Sequence, residues 1–359
     1  MKVLQLIDSL EAGGAERMAV NLANALVEEV EGSYLFSTRR EGLLKESIDT
    51  RVEYRCLNKR SKFDVMALFT LLRWVKKENI DILHAHSSSF FFGTLTKIMY
   101  PKLKLIWHDH YGQSEALDKR PYKALRFCSR WFDLLFCVNT KLMEWNTKQL
   151  HKVPVALLSN FVLPSQHKRQ ETHLHGINGK RMVCLANLRS QKDHITLLKA
   201  FQEVLKGHSD WTLHLVGKDF GDDYSKTIKT YVEDHRLEKS VFLYGSKSDT
   251  DCILSQCDIG VMSSASEGLP LALIEYGFNA LAVIATDVGD CNKIVTHDMT
   301  GQLIPPSNVK ALSKALKHYI EDEKLRKEAG SQLQKYVQEQ FSKEANIKSV
   351  LQSYHRLLG

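Results

Sequence analysis

The chain has 359 residues, with 49 Lys and Arg against 42 Asp and Glu for a formal charge of +7; at ~100–200 residues per domain this length argues for about two domains. Hydrophobic residues at 43%, charged residues at 25%, 19 Gly and 7 Pro exclude a disordered, collagenous or fibrous chain. Seven Cys with no C-x-x-C pair fit neither a disulfide framework nor a zinc site and point to a reduced, cytosolic setting. The apolar start, residues 3–7, is too short for a signal sequence. The longest apolar stretch, 269–286, is broken by Glu275, so no membrane span is expected.

In chain order, short β-branched or leucine-rich runs fall at 3–7, 34–37, 80–84, 103–107 and 134–138, then at 182–186, 213–216, 241–243, 259–262 and 282–285. Most are apolar throughout, as strands covered on both faces are. Helical patterns lie between them, such as 15–27 with Met18, Leu22, Ala25 and Leu26 on one face, and 195–206 with Leu198, Phe201 and Leu205. This alternation predicts an α/β protein with parallel sheets. The polar stretch 165–180 has no periodicity, separates the first five strand signals from the second five, and is taken as the linker. Two Rossmann-like sheets in tandem then leave a cleft between domains, where open α/β sheets bind ligands. Residues 1–165 hold 24 basic and 18 acidic side chains against 25 and 24 in the rest, so nearly all the excess charge lies in the first half. A basic face there suits phospholipid headgroups or a phosphorylated acceptor. Nucleic acid is the weaker reading, because no binding motif accompanies the charge.

Two glycines, Gly13 and Gly14, sit where the first strand turns into the first helix; there a backbone can approach a ligand closely and free amides favour an anion, although a plain tight turn reads the same way. After the strand at 259–262 comes Ser263-Ser264-Ala265-Ser266-Glu267-Gly268-Leu269-Pro270, with Pro270 suited to the first position of the next helix. Glu275 lies one turn after Leu271 on the same face and points into protein, where an unpaired carboxylate costs several kcal/mol. A structural acid satisfied by a neighbour is the alternative. Glu267, beside a turn that exposes helix-start amides, favours a polyhydroxylated, phosphorylated ligand.

Glu267-Gly268-Leu269-Pro270 followed by Glu275 resembles the E-x(7)-E signature of glycosyltransferase family 4, the retaining nucleotide-sugar enzymes of GT-B fold. The order of further motifs resembles that family over nearly the whole chain: Gly13-Gly14-Ala15-Glu16-Arg17, Asp81 to His86, Trp107-His108-Asp109-His110, Ser159-Asn160-Phe161, Asn187 to Lys192, Leu215-Val216-Gly217, Asp258 to Glu275, Ala285 to Gly289 and Thr300 to Ile304. The resemblance implies two Rossmann-like domains facing each other across a cleft, an acceptor domain over 1–165 and a nucleotide-sugar domain over 166–344, with a last helix at about 345–359 crossing back to the first. It implies that Gly13 and Gly14 touch the diphosphate and the transferred sugar, and that Lys192 neutralises the diphosphate leaving group. Glu275 would accept hydrogen bonds from the ribose and Glu267 would bind sugar hydroxyls; Gly217, Gly268, Leu269 and Pro270 complete the donor site. His110 would line the donor's anomeric side, with His108 as the fallback. The family's Arg five residues before the Lys is Asn187 here, with Arg189 in its stead. The family's Glu-Ala-Met-Ala becomes Glu275-Tyr276-Gly277-Phe278, and Asn292-Lys293 stands where an acid is usual.

The pairs His84/His86 and His108/His110 each put both imidazoles on one strand face, a spacing open to metal, yet His at strand ends is common and no metal is expected. The acidic run Asp219-Phe220-Gly221-Asp222-Asp223 reads as a solvated loop, so no cofactor and no divalent ion is expected, the nucleotide-sugar being substrate. Residues 119–132 interleave bases with aromatics; after Pro121 they read equally as a membrane-lying amphipathic helix or as a surface helix with a core-facing aromatic stripe. The expectation is a retaining glycosyltransferase of hexosyl type. It would move a sugar from a UDP- or GDP-sugar to a glycan or polyprenyl-diphosphate-linked acceptor in cell-surface polysaccharide synthesis, from the cytoplasm or the cytoplasmic membrane face. The rivals are a non-catalytic nucleotide-sugar-binding scaffold and a GT-B epimerase.

Overall fold

The computed structural model describes residues 1–151, 153–163 and 171–359, and the chain divides into two units, Met1–Leu163 with Ser342–Gly359, and Pro164–Phe341. Of the expected linker, 165–170 lie outside the described residues. Residues just beyond them are fastened to the second unit: the Asp249 carboxylate accepts from the backbone N–H of Glu171 (3.0 Å) and Thr172 (2.7 Å) and from the Thr172 hydroxyl (3.0 Å).

The first unit alternates β1 (Lys2–Ser9), α1 (Gly14–Leu26), β2 (Gly32–Arg40), β3 (Glu53–Cys56), α2 (Val65–Glu78), β4 (Ile82–His86), α3 (Phe90–Met99), β5 (Lys104–Asp109), α4 (Lys123–Cys128), β6 (Leu134–Cys137), α5 (Thr140–Gln149) and β7 (Val155–Leu157). The strands form one parallel sheet in the order β3-β2-β1-β4-β5-β6-β7. The central strands are buried on both faces because helices cover both; every residue of β4 and β6 is buried. β3 and β7 are not among the expected strands. β3 is a four-residue strand with exposed Glu53 and Arg55, and β7 is a three-residue edge.

The second unit runs β8 (Arg181–Leu185), α6 (His194–Leu205), β9 (Thr212–Val216), α7 (Asp223–Asp234), β10 (Val241–Leu243), α8 (Thr250–Leu254), β11 (Ile259–Met262), α9 (Leu271–Phe278), β12 (Ala282–Thr286), β13 (Gln302–Ile304), α10 (Val309–Glu321) and α11 (Glu323–Gln340). Its parallel sheet has the order β10-β9-β8-β11-β12-β13. The last helix, α12 (Lys343–Leu358), packs in the first unit, where Ile347, Val350 and Tyr354 join Val3, Met18, Leu22, Ile82 and Phe136 in one core.

In each sheet the strand order reverses once, between β1 and β4 in the first and between β8 and β11 in the second. Such switch points open a crevice beyond the carboxyl ends of the strands, where α/β sheets take their ligands. The segment after Pro121 settles as the second of its two readings: α4 is only six residues long, Leu125, Cys128 and Phe132 are buried, and Phe127 alone of the aromatics is turned out, at 55% exposure.

Candidate active site

At the β8/β11 switch point two loops are stitched together. The loop after β8 ends in a tight turn at Ser190–Lys192 and places Asp193 in the left-handed region (φ 48°), where its carboxylate caps α6 by accepting from the Thr196 N–H. The loop after β11 reaches across: Ala265 N–H donates to Gln191 O (2.8 Å), and the Ser263 hydroxyl lies 3.0 and 3.1 Å from the carbonyls of Lys192 and Asp193. These contacts aim Lys192 at Glu267, with Nζ 2.5 Å from Oε1, and the Ser264 hydroxyl donates to the same oxygen (2.6 Å). The Glu267 side chain is 6% exposed and that of Lys192 20%, so the pair is only partly covered. An ammonium has three N–H donors, and the Glu267 contact uses one.

Gly268, Leu269 and Pro270 follow Glu267 directly and are buried. Pro270 takes the cap position with extended backbone instead of the first helical position, and no side chain caps the start of α9; uncapped amides there favour an anion. Gly289 (φ 55°) admits the turn after β12, since a Cβ would fall 2.3 Å from Glu267 O. Glu275 is buried in the middle of α9, on the Leu271 face. Gly217 is required by close approach, because a Cβ would stand 2.1 Å from Ala186 O. Asn187 is spoken for structurally, its Oδ1 accepting the Lys218 N–H at 2.8 Å. Arg189 is exposed and lies over the Phe220 ring, 5.0 Å from its centroid, so its guanidinium is engaged with that loop. The acidic run is used as local scaffolding: Asp222 caps α7, and Asp219 pairs with Lys229 at 2.6 Å.

Sequence reasoning missed the role of Tyr276. The β8/β11 ladder covers only Ile259↔Met182 and Gly260↔Val183, and beyond it the Tyr276 hydroxyl accepts the Leu185 N–H (2.6 Å) and donates to Val261 O (3.4 Å). Gly260 makes room for the ring, since a Cβ would sit 2.5 Å from it. The tyrosine therefore substitutes for the missing ladder where the strands splay towards the site. Tyr276→Phe strands a buried N–H and is expected to cost about 1–3 kcal/mol, read as a lowered midpoint in thermal or urea unfolding.

On the first unit, Gly13 caps α1 with extended backbone and no side-chain cap, and Gly14 begins the helix. The turn is held from behind: a Cβ on Gly42 would lie 2.3 Å from Leu10 O, and Leu44 N–H donates to the same carbonyl. Asp8, at the end of β1, went unsingled in sequence. It accepts from the hydroxyls of Ser88 and Thr38 and pairs with Lys59 (3.2 Å), whose side chain is 6% exposed. Burial alone raises this carboxyl, but the hydroxyl bonds and the Lys59 charge outweigh it and hold it below the ordinary value.

β4 and β5 bring four histidines together. His84 and His86 stack at 4.6 Å between centroids, and His108 and His110 lie tilted at 3.9 Å. His84, His86 and His108 are wholly buried within the sheet, whereas His110 lies just past the end of β5, half-buried, with Nε2 3.0 Å from His86 Nδ1. Burial keeps them neutral, pushing His84 down to about 3 and His110 down to about 4. Asp109, between His108 and His110, faces the other way into a bidentate pair with Arg120 (2.7 and 2.8 Å).

Two parallel α/β units in tandem, each with a loop site at its switch point, match the GT-B architecture. Residues 12–166 match the family model described as Glycosyltransferase Family 4, and residues 166–336 the model for Glycosyl transferases group 1. The chain belongs to glycosyltransferase family 4. It is 24% identical over 282 residues to the UDP-Gal:alpha-D-GlcNAc-diphosphoundecaprenol alpha-1,3-galactosyltransferase of Escherichia coli, covering 73% of this chain and 72% of that one. To the amylovoran biosynthesis glycosyltransferase AmsD of Erwinia amylovora it is 25% identical over 333 residues, or 91% and 92% of the two chains. Among solved structures, HepE of Anabaena in complex with UDP-glucose superposes with a TM-score of 0.79 at 17% identity, over 99% of this chain and all of that one.

Proposed function

We propose that this glycosyltransferase moves a hexose, with retention, from a UDP-sugar to a lipid-linked glycan in polysaccharide synthesis. The observation that carries the reading is the partly open Lys192–Glu267 pair beside the uncapped start of α9. A cation and helix-start amides stabilise charge that grows on a departing diphosphate, and a buried carboxylate next to them suits sugar hydroxyls. UDP is preferred to GDP because the Escherichia coli relative is named for UDP-Gal and the Anabaena neighbour holds UDP-glucose. In the reaction the bond from the anomeric carbon to the diphosphate oxygen breaks, the acceptor oxygen bonds to that carbon on the same face, and the acceptor's proton passes to the diphosphate. Gly13, Gly14 and His110 are assigned to the sugar end. His110 is preferred to His108 because only His110 lies beyond the strand and is partly open. Lys192 and the amides supply the charge stabilisation, so group transfer itself calls for no divalent ion.

The assignment is tested by separating binding from turnover. Glu275→Ala is expected to weaken UDP binding about 10- to 100-fold, the effect of removing one or two hydrogen bonds to a buried charged acceptor. Glu267→Ala is expected to lower kcat by more than it changes UDP affinity. Calorimetry with UDP and steady-state kinetics read both, and wild-type behaviour in both variants contradicts the site. Retention is read from the anomeric configuration of the product by NMR.

A lipid-linked acceptor calls for contact with a membrane surface. Among the described residues no helix is long and apolar enough to cross a membrane. Phe63 (72%), Val65 (57%), Met66 (77%) and Phe69 (46%) are exposed around the start of α2, beside exposed Arg60, Lys62 and Arg73. Apolar side chains ringed by bases suit an anionic bilayer surface. Replacing Phe63, Met66 and Phe69 together by serine is expected to lower partitioning onto phosphatidylglycerol vesicles about tenfold or more, measured by co-sedimentation.

A further inference from the structure

We propose that His84, His86 and His108 form a binding site for one transition-metal ion, with zinc as the fitting metal, in the first unit of this protein. The inference does not rest on the reading of the transfer reaction. One ring nitrogen from each of the three lies within 4.8 Å of the others, and all three residues are buried. A tetrahedral zinc with bonds of about 2.0–2.1 Å needs nitrogens ~3.4 Å apart, so side-chain rotations that close the gaps by about 1.4 Å or less bring three of the four ligands into place, and a water admitted with the ion takes the fourth.

The hydrogen bonds already present single out the ligating atoms. The His84 ring lies with Nδ1 2.6 Å from the Tyr354 hydroxyl, and its Nε2 has no partner. His86 has Nε2 2.8 Å from the Gln5 carbonyl oxygen; Nε2–H donating to Gln5 leaves the lone pair on Nδ1, which lies 3.0 Å from His110 Nε2, a contact that the ion replaces. His108 has no partner on either nitrogen. Each of the first two imidazoles is thus anchored through one nitrogen by Tyr354 or Gln5, as metal-bound histidines are anchored by neighbours that fix ring orientation and tautomer. His84 Nε2 and the His108 nitrogens have no partner in this buried position, an unmade bond costing about 1–3 kcal/mol each, and a cation satisfies His84 Nε2 and one nitrogen of His108. Imidazole nitrogens select zinc, copper or nickel over magnesium or calcium, and zinc accepts tetrahedral nitrogen sets without redox chemistry. Burial keeps the imidazoles neutral at physiological pH, which is the form that ligates. An ion here ties β4 to β5 and, through Gln5 and Tyr354, to β1 and α12. His110 is left for the sugar end.

The test uses the full chain, stripped with a chelator, dialysed, and titrated with ZnCl2 by calorimetry and with CoCl2 by visible absorption. The expected result is one equivalent bound, a tetrahedral cobalt spectrum and a melting temperature raised by zinc. His108→Phe is expected to lose at least 100-fold in zinc affinity. Tyr354→Phe, which removes only a hydroxyl, is expected to lose about 10- to 100-fold. Cooperative urea unfolding followed by tryptophan fluorescence, four of the five tryptophans lying in the first unit, confirms that each variant is folded, and a variant that fails it is replaced by His84→Gln in the same titration. No stoichiometric binding by the wild-type chain overturns the proposal, as does binding that survives unchanged in the histidine variants.

Discussion

Lys192→Ala is expected to lower kcat by about 10²- to 10³-fold, the loss that follows removal of one preorganised donor aimed at developing negative charge. Lys192 is fixed by more than its own side chain. Its carbonyl accepts from the Ser263 hydroxyl, its neighbour Gln191 accepts the Ala265 N–H, and its ammonium sits 2.5 Å from Glu267. Charge placed this rigidly requires little reorganisation when the diphosphate departs, and for that reason the effect falls on turnover more than on donor affinity. Lys192→Arg keeps the charge and should recover part of the rate. A kcat within tenfold of wild type for Lys192→Ala contradicts the role.

Arg120→Ala is expected to destabilise the first unit by about 3–5 kcal/mol, the usual cost of stranding one partner of a buried ion pair. Asp109 is 1% exposed and Arg120 8%. The guanidinium fork meets both carboxylate oxygens while its flat face lies 4.3 Å from the Tyr111 centroid and 4.7 Å from that of Trp145. Asn146 donates to the same carboxylate at 2.8 Å and the Tyr111 N–H at 3.2 Å, so removing Arg120 leaves Asp109 among aromatic rings with two neutral donors and no cation. The double variant Asp109→Ala/Arg120→Ala should lose less than the sum of the two single variants, because no stranded charge remains. Urea unfolding followed by tryptophan fluorescence reads this directly, since Trp74, Trp107, Trp131 and Trp145 belong to the first unit and only Trp211 to the second.

Much of the fold was legible because a parallel strand buried on both faces is mostly apolar, and the runs at 134–138, 259–262 and 282–285 declare themselves that way. β3, β7 and β13 were not legible: they are three or four residues long and sit at or next to the sheet edges, where neither full burial nor a clean alternation is imposed. The strand at 80–84 is observed at Ile82–His86, and that two-residue shift brings His86 inside the sheet beside His84. Within the site, local motifs disclosed Gly13, Glu267 and Glu275 as residues of interest. The pairing of Lys192 with Glu267, 75 residues apart, and the service of Tyr276 to β8 and β11 depend on which strands become neighbours. The same holds for Asp8 with Lys59 and for the histidines of β4 and β5, whose contacts arise only once the strand order is fixed. Asn187 shows the converse, since a departure from the family pattern has a purely local structural use in holding the Lys218 amide.

The central claim is that this chain turns over a UDP-sugar. Nucleotide release from a panel of UDP-, GDP- and ADP-sugars, with and without a membrane extract containing lipid-linked glycans, tests it most directly. The account predicts slow release from one UDP-sugar that accelerates when the extract is added. Tight binding of a nucleotide-sugar with no release under any condition would contradict it.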